Sequence, residues 1–196
     1  GHINEDIFNY DVKRFQKFHS ELKFIKNRIT ESLGDLYGMH WPYKQHKTSR
    51  NIKTLPYHDL LKGFGACFGV SGGYERPMWF ALDGEAPEYK YSYNHQNWYP
   101  SVEYETNNTI RNVGLFDLTP FSKFELKSEK AHNELQKMCT SNIKNEIGKC
   151  TYTHMLNEDG GIEIDLTVVC VGENHYRLIS SAATRERDKF HIKKYL

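Results

Sequence analysis

Two periodicities in the placement of apolar residues predict the secondary structure of the chain. Over residues 11–33, apolar side chains recur at steps of three and four, namely at Phe15, Phe18, Leu22, Ile25 and Ile29. This spacing predicts an amphipathic helix that stops at Gly34. Shorter stretches of the same kind predict further helices over residues 57–64, 102–114, 129–138 and 184–196.

Strand-like runs occupy much of the remaining chain. Two of them flank Ser71-Gly72-Gly73, and the others are FSKFELK (121–127), KCTYTHML (149–156), GIEIDLTVV (161–169) and HYRLISS (175–181). Helices and strands are mixed without the regular alternation of a doubly wound sheet, so we predict an α+β fold with a mixed antiparallel sheet and helices. The turn-forming, acidic stretch DGEAPE indicates a boundary between a segment 1–83 and a segment 84–196.

A hairpin is predicted where Asp159-Gly160 separates two of these strands, because a type I′ turn needs positive φ at both central positions. This turn predicts the cross-strand pairs Tyr152–Thr167, His154–Asp165 and Leu156–Glu163. Side chains alternate between the two faces of a strand. One face is therefore apolar and belongs to the core: Ile162, Ile164, Leu166 and Val168. The other face is polar: Tyr152, His154, Glu163, Asp165 and Thr167.

Two interpretations of this polar face stay open. In the first it is a solvated sheet face, on which a cross-strand histidine–aspartate pair contributes roughly 0.2–1 kcal/mol. In the second it lines a cleft, where a carboxylate, an imidazole and a phenol bind a polar heterocycle and manage a proton. The register matters for both, because a loop one residue longer would move His154 to the opposite face.

Composition and charge narrow the classes of function. A chain of 196 residues with 38% apolar content suffices for one ordinary domain or two small pieces. The formal net charge of +1 offers no electrostatic argument for a nucleic-acid or membrane-surface partner. No apolar run approaches the roughly 20 residues of a membrane-spanning helix. The four cysteines form no C-x-x-C pair, so we expect reduced, buried thiols in the cytoplasm, or in the mitochondrial matrix of a eukaryote.

Motifs of several other chemistries are missing from the sequence. The histidines show no H-x-x-x-H spacing on a helix and no cysteine–histidine spacing typical of zinc, so we predict no metal site. The glycines of GFGACFGVSGG do not match the G-x-G-x-x-G loop that binds dinucleotides, and no G-x-S-x-G occurs. We interpret Trp41, Trp79 and Trp98 as core anchors rather than as a ligand cage.

Several stretches resemble a known enzyme family. LYGMHWPYK, RNIKTLPYHDLLKGFGACFGVSGGYERPMWF and NWYPSVEYE are similar to the region behind the flavin domain of dimethylglycine and sarcosine dehydrogenases. GLFDLTPFSKFEL, YTHMLNEDGGIEIDLTV and SSAATRERD resemble the start of the folate-binding domain of those enzymes, which the glycine-cleavage aminomethyltransferase shares. The resemblance implies that 1–83 is the central segment of an FAD-dependent oxidoreductase. It implies that 84–196 is the N-terminal part of an aminomethyltransferase-like folate-binding domain.

The resemblance also implies an activity and a set of site residues. The family oxidatively demethylates an N-methylated glycine, dimethylglycine or sarcosine, with FAD and passes the one-carbon unit to tetrahydrofolate. Tyr152 and Asp165 match residues that contact the pterin end of the folate, and Asp165 matches the catalytic aspartate that orients the folate and assists proton movement. Phe121 matches an apolar position that packs on the folate ring, and Ser181 matches a polar position of the pocket.

The chain departs from the family pattern in two ways. Aminomethyltransferases usually have two adjacent acids where this chain has Ile164-Asp165. The FAD-binding domain has no counterpart here, and the sequence stops partway through the folate domain. We therefore expect a fragment with an incomplete tetrahydrofolate pocket that does not oxidise an amine alone.

Partners and alternatives follow from the same expectation. The expected partners are a small-molecule substrate, the flavin domain and the rest of the folate domain, with self-association through exposed edges and without nucleic acid or membrane. Two alternatives remain: a flavin-free aminomethyltransferase-like protein, and a non-catalytic module for folate binding or subunit contact. The first of these does not account for residues 10–100.

Overall fold

The computed structural model describes residues 8–196. Residues 1–7, the start of the predicted segment 1–83, lie outside it. Two compact units are present: residues 8–16 with Pro120–Leu196, and Lys17–Thr119. The helices are α1 (Leu22–Leu36), α2 (His58–Gly63), α3 (Tyr99–Arg111), α4 (Ala131–Met138) and α5 (Arg185–Tyr195). The strands are β1 (Ala66–Ser71), β2 (Tyr74–Phe80), β3 (Ser122–Lys127), β4 (Cys150–Leu156), β5 (Ile162–Gly172) and β6 (His175–Ser180).

The unit that contains Pro120–Leu196 is built on a four-stranded antiparallel sheet in the order β3-β6-β5-β4. One face of the sheet packs with α4 and α5 around a buried core: Ala131, Leu135, Ile143, Met155, Ile164, Leu166, Val168, Cys170, Tyr176, Leu178 and Ile192. This arrangement confirms the predicted α+β fold with an antiparallel sheet. Within residues 8–196, every helix falls short of the length and apolar content that a bilayer span requires.

The outer edge of β4 is bonded to the segment that follows α4. The Thr140 N–H donates to the carbonyl of His154 at 3.0 Å, and the Ser141 hydroxyl donates to the carbonyl of Tyr152 at 3.3 Å. The Ser141 N–H donates to the Thr153 hydroxyl at 3.1 Å. The first two bonds occupy backbone carbonyls that an edge strand otherwise exposes, and all three fix the strand that carries Tyr152 and His154.

The Lys17–Thr119 unit contains the hairpin of β1 and β2. Gly72 and Gly73 have φ of +60° and +82°, the left-handed values that a two-residue type I′ turn requires. The hairpin predicted around Ser71-Gly72-Gly73 is therefore confirmed. Its buried side chains include Cys67 and Trp79, and Trp79 is 1% exposed, in agreement with the core role predicted for it.

A buried ion pair joins this hairpin to the preceding loop. Glu75 is 1% exposed, and Arg50 donates to its two carboxylate oxygens from Nε at 2.7 Å and Nη2 at 2.6 Å. The Asn51 N–H adds a third bond at 2.8 Å. Burial alone would raise the pKa of Glu75, but the bonds from Arg50 and Asn51 outweigh it and keep that pKa below its usual value.

The helix predicted over 11–33 is wrong at both ends. Residues Phe8–Tyr10, Val12–Arg14 and Lys17–Ser20 form short 3₁₀ turns, and α1 starts only at Leu22. The Asp11 carboxylate accepts from the Lys13 N–H at 2.8 Å, a local bond that competes with a continuous α-helix. Gly34 does not stop α1, since an interior glycine costs only about 1 kcal/mol relative to alanine.

Two smaller expectations also need correction. Helix α3 spans Tyr99–Arg111 rather than 102–114, because Pro100 lies in its first turn, where a fixed φ and a missing N–H favour a helix start. The thiols are free, but Cys150 is exposed and not buried. Burial raises the pKa of Cys67 and of Cys139 to about 11, which keeps both as unreactive thiols.

The turn between β4 and β5 is longer than predicted. The Asn157 N–H donates to the carbonyl of Gly161 at 2.8 Å, and the Gly160 N–H donates to the carbonyl of Asn157 at 3.1 Å. Gly160 has φ +82°, whereas Asp159 is not in the left-handed region. This is a three-residue loop, a type I turn followed by a left-handed glycine, and not the predicted type I′ turn. The Asn157 side chain stabilises it by accepting from the Asp159 and Gly161 N–H groups.

A β-bulge in the same hairpin cancels the effect of the longer loop. Leu156 pairs with Ile162 and Met155 pairs with Ile164, which leaves Glu163 as an extra residue on β5. The predicted Leu156–Glu163 pair is therefore wrong, and Ile162 is 61% exposed rather than in the core. Beyond the bulge, the predicted pairs form: His154 with Asp165 and Tyr152 with Thr167.

Candidate functional site

Among residues 8–196, α4 and α5 pack on one face of the four-stranded sheet, and side chains of the other face are exposed or half-buried. Thr153, Leu166, Ser180 and Ser122 pair in sequence across the four strands, and all are at most 3% exposed. Residues on either side of them along each strand point to the opposite face. We call this opposite surface the open face; it consists of Tyr152, His154, Asp165, Thr167, Ile179 and Lys123, with Phe121 and Ser181 at its end.

Tyr152 and Asp165 are in direct contact on the open face. The Tyr152 hydroxyl donates to Asp165 Oδ2 at 2.7 Å, and the Nε2 atom of His154 lies 3.5 Å from the same hydroxyl. The rings of Tyr152 and His154 meet edge to face, with centroids 5.3 Å apart. The prediction that these three groups share one face is confirmed.

The electrostatics of the pair follow from this contact. The bond to the Asp165 carboxylate raises the pKa of the Tyr152 phenol, because ionising the phenol would place two negative charges side by side. Tyr152 is 59% exposed, so the pair is open to a ligand. A carboxylate that accepts hydrogen bonds beside a phenol that donates one suits a heterocycle with ring N–H and carbonyl groups.

Glu163 does not join this group, although the sequence placed it on the same face. Its Oε2 atom accepts from Arg187 Nε at 2.9 Å and from Nη2 at 2.6 Å. The bulge turns Glu163 out of the strand alternation, and the guanidinium of α5 then holds it. Of the two carboxylates predicted for the polar face, Asp165 is therefore the one that remains there.

Phe121 and Ser181 lie at the same end of the sheet as Asp165. Phe121 directly precedes Ser122, and Ser181 directly follows Ser180, while Ser180 is paired with both Ser122 and Leu166. The Ser122 hydroxyl donates to the carbonyl of Ser181 at 2.9 Å. Phe121 is 37% exposed. The fold thus brings all four predicted site residues to one region, and their individual roles stay predictions.

A buried carboxylate that the sequence pattern does not indicate lies behind Ser181. Asp188 is 1% exposed, and its Oδ2 accepts from the Ser180 hydroxyl at 2.5 Å and from the Thr184 hydroxyl at 2.9 Å. One oxygen therefore holds both ends of the bend that carries Ser181. Burial raises the pKa of Asp188 despite these two bonds. Thr184 is the N-cap residue of α5, but its hydroxyl bonds to Asp188 and not to the backbone.

A second group of possible ligand atoms lies in the other unit. Single atoms of Glu31, Asp35 and His46 come within 4.8 Å of one another. Both carboxylates already have donors: Glu31 accepts from the Lys47 N–H at 2.6 Å, and Asp35 accepts from Lys44 Nζ at 2.5 Å. We therefore assign no metal to this group, and the prediction that the chain has no metal site stays a prediction.

Comparison with known proteins identifies two sequence families along the chain. Residues 57–196 match the family described as GCVT N-terminal domain. Residues 1–54 match the family described as FAD dependent oxidoreductase central domain. The boundary predicted after residue 83 stays a prediction.

Three curated relatives illustrate what the chain is similar to. A 4-methylaminobutanoate oxidase (formaldehyde-forming) of Paenarthrobacter nicotinovorans is 38% identical over 94% of this chain and 22% of its own length. A mitochondrial pyruvate dehydrogenase phosphatase regulatory subunit of Mus musculus is 27% identical over 100% of this chain and 23% of its own length. The mitochondrial sarcosine dehydrogenase of Homo sapiens is 28% identical over 89% of this chain and 22% of its own length.

A solved structure supports the fold. The glycine cleavage system aminomethyltransferase T from Bartonella henselae aligns with a TM-score of 0.57 and 25% sequence identity, over 73% of this chain and 35% of its own. The chain spans about a fifth of the length of the curated relatives it matches.

Proposed function

The chain belongs to the family of the GCVT N-terminal domain, and from this premise we propose that it contributes the folate site of an FAD- and tetrahydrofolate-dependent dehydrogenase. The proposed enzyme oxidatively demethylates N-methylated glycines and passes the one-carbon unit to tetrahydrofolate. Relatives named as a sarcosine dehydrogenase and a dimethylglycine dehydrogenase support this substrate class. The observation that carries the proposal is the Tyr152–Asp165 hydrogen bond of 2.7 Å on an exposed sheet face.

The residues of the open face fit a reduced pterin. Asp165 supplies an acceptor for ring N–H groups, Tyr152 supplies a donor, and Phe121 supplies a partly exposed aromatic surface. When bound, tetrahydrofolate accepts the one-carbon unit at its reacting nitrogens, a pterin ring nitrogen and the neighbouring exocyclic nitrogen. In this proposal Asp165 orients the folate and holds the proton that those nitrogens exchange, while Tyr152 fixes the carboxylate in place.

The oxidation of the amine is assigned to FAD, which no residue of this chain is proposed to bind. The sequence has no G-x-G-x-x-G loop in a strand–turn–helix setting. For a eukaryotic source we propose the mitochondrial matrix, which the names of the mitochondrial relatives support.

A titration of the purified chain with 5-formyltetrahydrofolate, followed by NMR, tests the site. We expect weak binding, with a Kd on the order of 1 mM, which corresponds to about −4 kcal/mol. The largest chemical-shift changes should fall on Tyr152 and its strand neighbours. Asp165→Asn should weaken binding about tenfold, because a hydrogen bond to a charged acceptor contributes roughly 1.5 kcal/mol or more.

Asp159→Asn is the matched control, since it removes the same charge from the exposed turn of the same hairpin. It should leave the titration unchanged. Shift changes that avoid the open face, or equal losses in the two variants, would contradict the proposal.

A second candidate is a non-catalytic module for folate binding or subunit contact. The 27% identity to a regulatory subunit favours it. The product of the entire gene decides between the two: reduction of a dye acceptor in the presence of sarcosine or dimethylglycine supports the dehydrogenase. Folate binding without amine-dependent reduction supports the module.

A further inference from the structure

We propose that the cavity between α4, α5 and the loop after β4 is a second ligand site. It takes a small uncharged aromatic molecule with one hydroxyl group and binds that hydroxyl through His191. The inference goes beyond the proposed function, because the residues that line this cavity are separate from those of the open face. The two proposals can therefore fail independently.

The cavity has the size of a small-molecule site. Its volume is about 430 Å³, within the range of roughly 300–1,000 Å³ that is usual for ligand pockets. Its wall includes Met138 at the end of α4, Leu156 at the end of β4, and His191 and Tyr195 on α5. All of these belong to the unit that contains Pro120–Leu196, so a single folded unit forms the cavity.

His191 is the polar group of the wall that a ligand would satisfy. It is 8% exposed, and its ring contacts the ring of Tyr195 with centroids 5.0 Å apart. Within residues 8–196, neither ring nitrogen of His191 has a hydrogen-bond partner. Burial lowers the pKa of His191, so the imidazole is neutral at pH 7. A neutral imidazole offers one N–H donor and one acceptor nitrogen, and both are available here.

The charged side chains that line the cavity already have partners. Lys137 Nζ donates to Glu134 Oε1 at 3.2 Å, and Glu158 Oε1 accepts from Lys194 Nζ at 2.8 Å. Among the described residues of the wall, each acid is thus matched by a base. This balance favours an uncharged ligand, because a buried ion without a partner is costly.

The apolar part of the wall favours an aromatic ring. Met138 contributes a thioether, which makes favourable contacts with aromatic rings. Tyr195 is 37% exposed and contributes an aromatic surface of its own. A hydroxyl on the ligand can donate to the acceptor nitrogen of His191 or accept from its N–H, so it fits either tautomer. Phenol combines these properties in a small molecule and serves as the probe.

The competing explanation is that water alone fills the cavity. Ordered water commonly satisfies buried polar groups, and it could do so for His191. His191 also lines a neighbouring cavity of about 290 Å³, together with Phe190. Met138 lines the first cavity and not the second, and the reverse holds for Phe190. The signals of these two side chains therefore report which cavity a probe enters.

An NMR titration of the chain with phenol, toluene and benzoate at pH 7 tests the site. We expect phenol to bind with a Kd on the order of 1 mM. Toluene should bind about five- to tenfold more weakly, because it leaves the imidazole without a hydrogen bond. Benzoate should bind more weakly than phenol, because its charge finds no unpaired cation. Phenol should shift the Met138 methyl signal and the ring nitrogens of His191.

Two variants locate the hydrogen bond. His191→Phe keeps an aromatic ring but removes both nitrogens, so phenol and toluene should then bind equally well. His175→Phe is the matched control, since it makes the same substitution in the same unit. The His175 imidazole is bonded to Glu125 Oε2 at 2.5 Å and does not line the cavity. This variant should keep the preference for phenol.

Each outcome supports or overturns the proposal. If phenol leaves Met138 unshifted, shifts Phe190 instead, or binds no better than toluene, the proposal is overturned and the cavity holds water only. An equal loss of the preference in His191→Phe and His175→Phe would overturn it as well. If His191→Phe does not fold, the phenol and toluene titrations of the wild type and the ¹⁵N shifts of the His191 ring still decide.

Discussion

Two buried carboxylates, one in each compact unit, are equally shielded from water but are held by different partners. Glu75 and Asp188 are each 1% exposed. Glu75 faces the guanidinium of Arg50, whereas Asp188 accepts from two hydroxyl groups through Oδ2. Its Oδ1 atom has no hydrogen-bond partner among the residues that the structure describes.

The comparison shows that burial makes ionisation of a carboxylate costly, and that the hydrogen-bond partner decides whether its pKa ends above or below the usual value. The pKa of Glu75 lies below its usual value and that of Asp188 lies above it. A cation compensates a buried negative charge, while neutral hydroxyl donors do so only in part. We therefore assign Glu75 to the stability of its unit. Asp188 instead holds the bend that carries Ser181, at the edge of the open face.

The largest expected effect on stability comes from removing Glu75, the buried carboxylate that is ion-paired with Arg50. Glu75→Ala should lower the free energy of unfolding by about 3 kcal/mol, because it leaves Arg50 partly buried without its partner. Urea unfolding followed by tryptophan fluorescence measures this, since all three tryptophans lie in the Lys17–Thr119 unit. Glu88→Ala removes an exposed ion pair with Lys90 as a control and should cost less than about 0.5 kcal/mol. Equal losses of unfolding free energy in Glu75→Ala and Glu88→Ala would contradict the stabilising role assigned to the buried pair.

Asp188→Asn should have a smaller effect with a characteristic pH dependence. A folded-state pKa above the unfolded value means that the neutral form is favoured in the fold. The stability it contributes is complete below the unfolded pKa and is lost as the pH rises through the folded pKa. The variant should therefore be at least as stable as the wild type at pH 7, within about 1 kcal/mol. This advantage should disappear below about pH 4.

Amide hydrogen exchange of the Leu178 region, measured at pH 7 and at about pH 4, reports the stability of the unit that contains Asp188. Glu75→Gln provides the opposite case, because a lowered pKa contributes stability above the unfolded value that is lost in acid. A larger stability loss for Asp188→Asn at pH 7 than at pH 4 would overturn the assignment.

The smallest effect is expected at the candidate site itself. Tyr152→Phe removes a hydroxyl from a residue that is 59% exposed and should change the free energy of unfolding by less than about 0.5 kcal/mol. Tyr176→Phe makes the same change at a residue that is 2% exposed, where the hydroxyl lies 3.1 Å from His132 Nδ1. That loss should be about 1 kcal/mol. Thermal unfolding followed by circular dichroism compares the two, and a larger cost at Tyr152 would show a structural role.

Alternation along the strands was sufficient to predict the central part of the site. It placed Tyr152, His154 and Asp165 together, because the buried run of β5 tolerates only one face toward the core. Recognising the turn at Gly72-Gly73 needed no more than two adjacent glycines. These are short-range signals, and each is read from residues close together in the chain.

The features that alternation does not predict depend on specific side-chain bonds. The Asn157 side-chain oxygen stabilises the three-residue loop by accepting from the Asp159 and Gly161 N–H groups, and the pairing of Glu163 with Arg187 spans 24 residues. The register at Asp165 was right even though the turn was wrong, since loop and bulge shift the strands by one residue in opposite senses. Asp188 lies four residues after Thr184, a spacing that indicates a contact on a helix, but its bond to Ser180 depends on tertiary structure.

The bulge at Glu163 has a consequence for engineering the molecule. It separates the tip of the hairpin from the strand segments that carry Tyr152 and Asp165, so a change of loop length can be absorbed before it reaches them. Residues 158–160 are exposed. They offer an attachment point for a fluorophore or a short peptide tag that should leave the contact between Tyr152 and Asp165 unchanged.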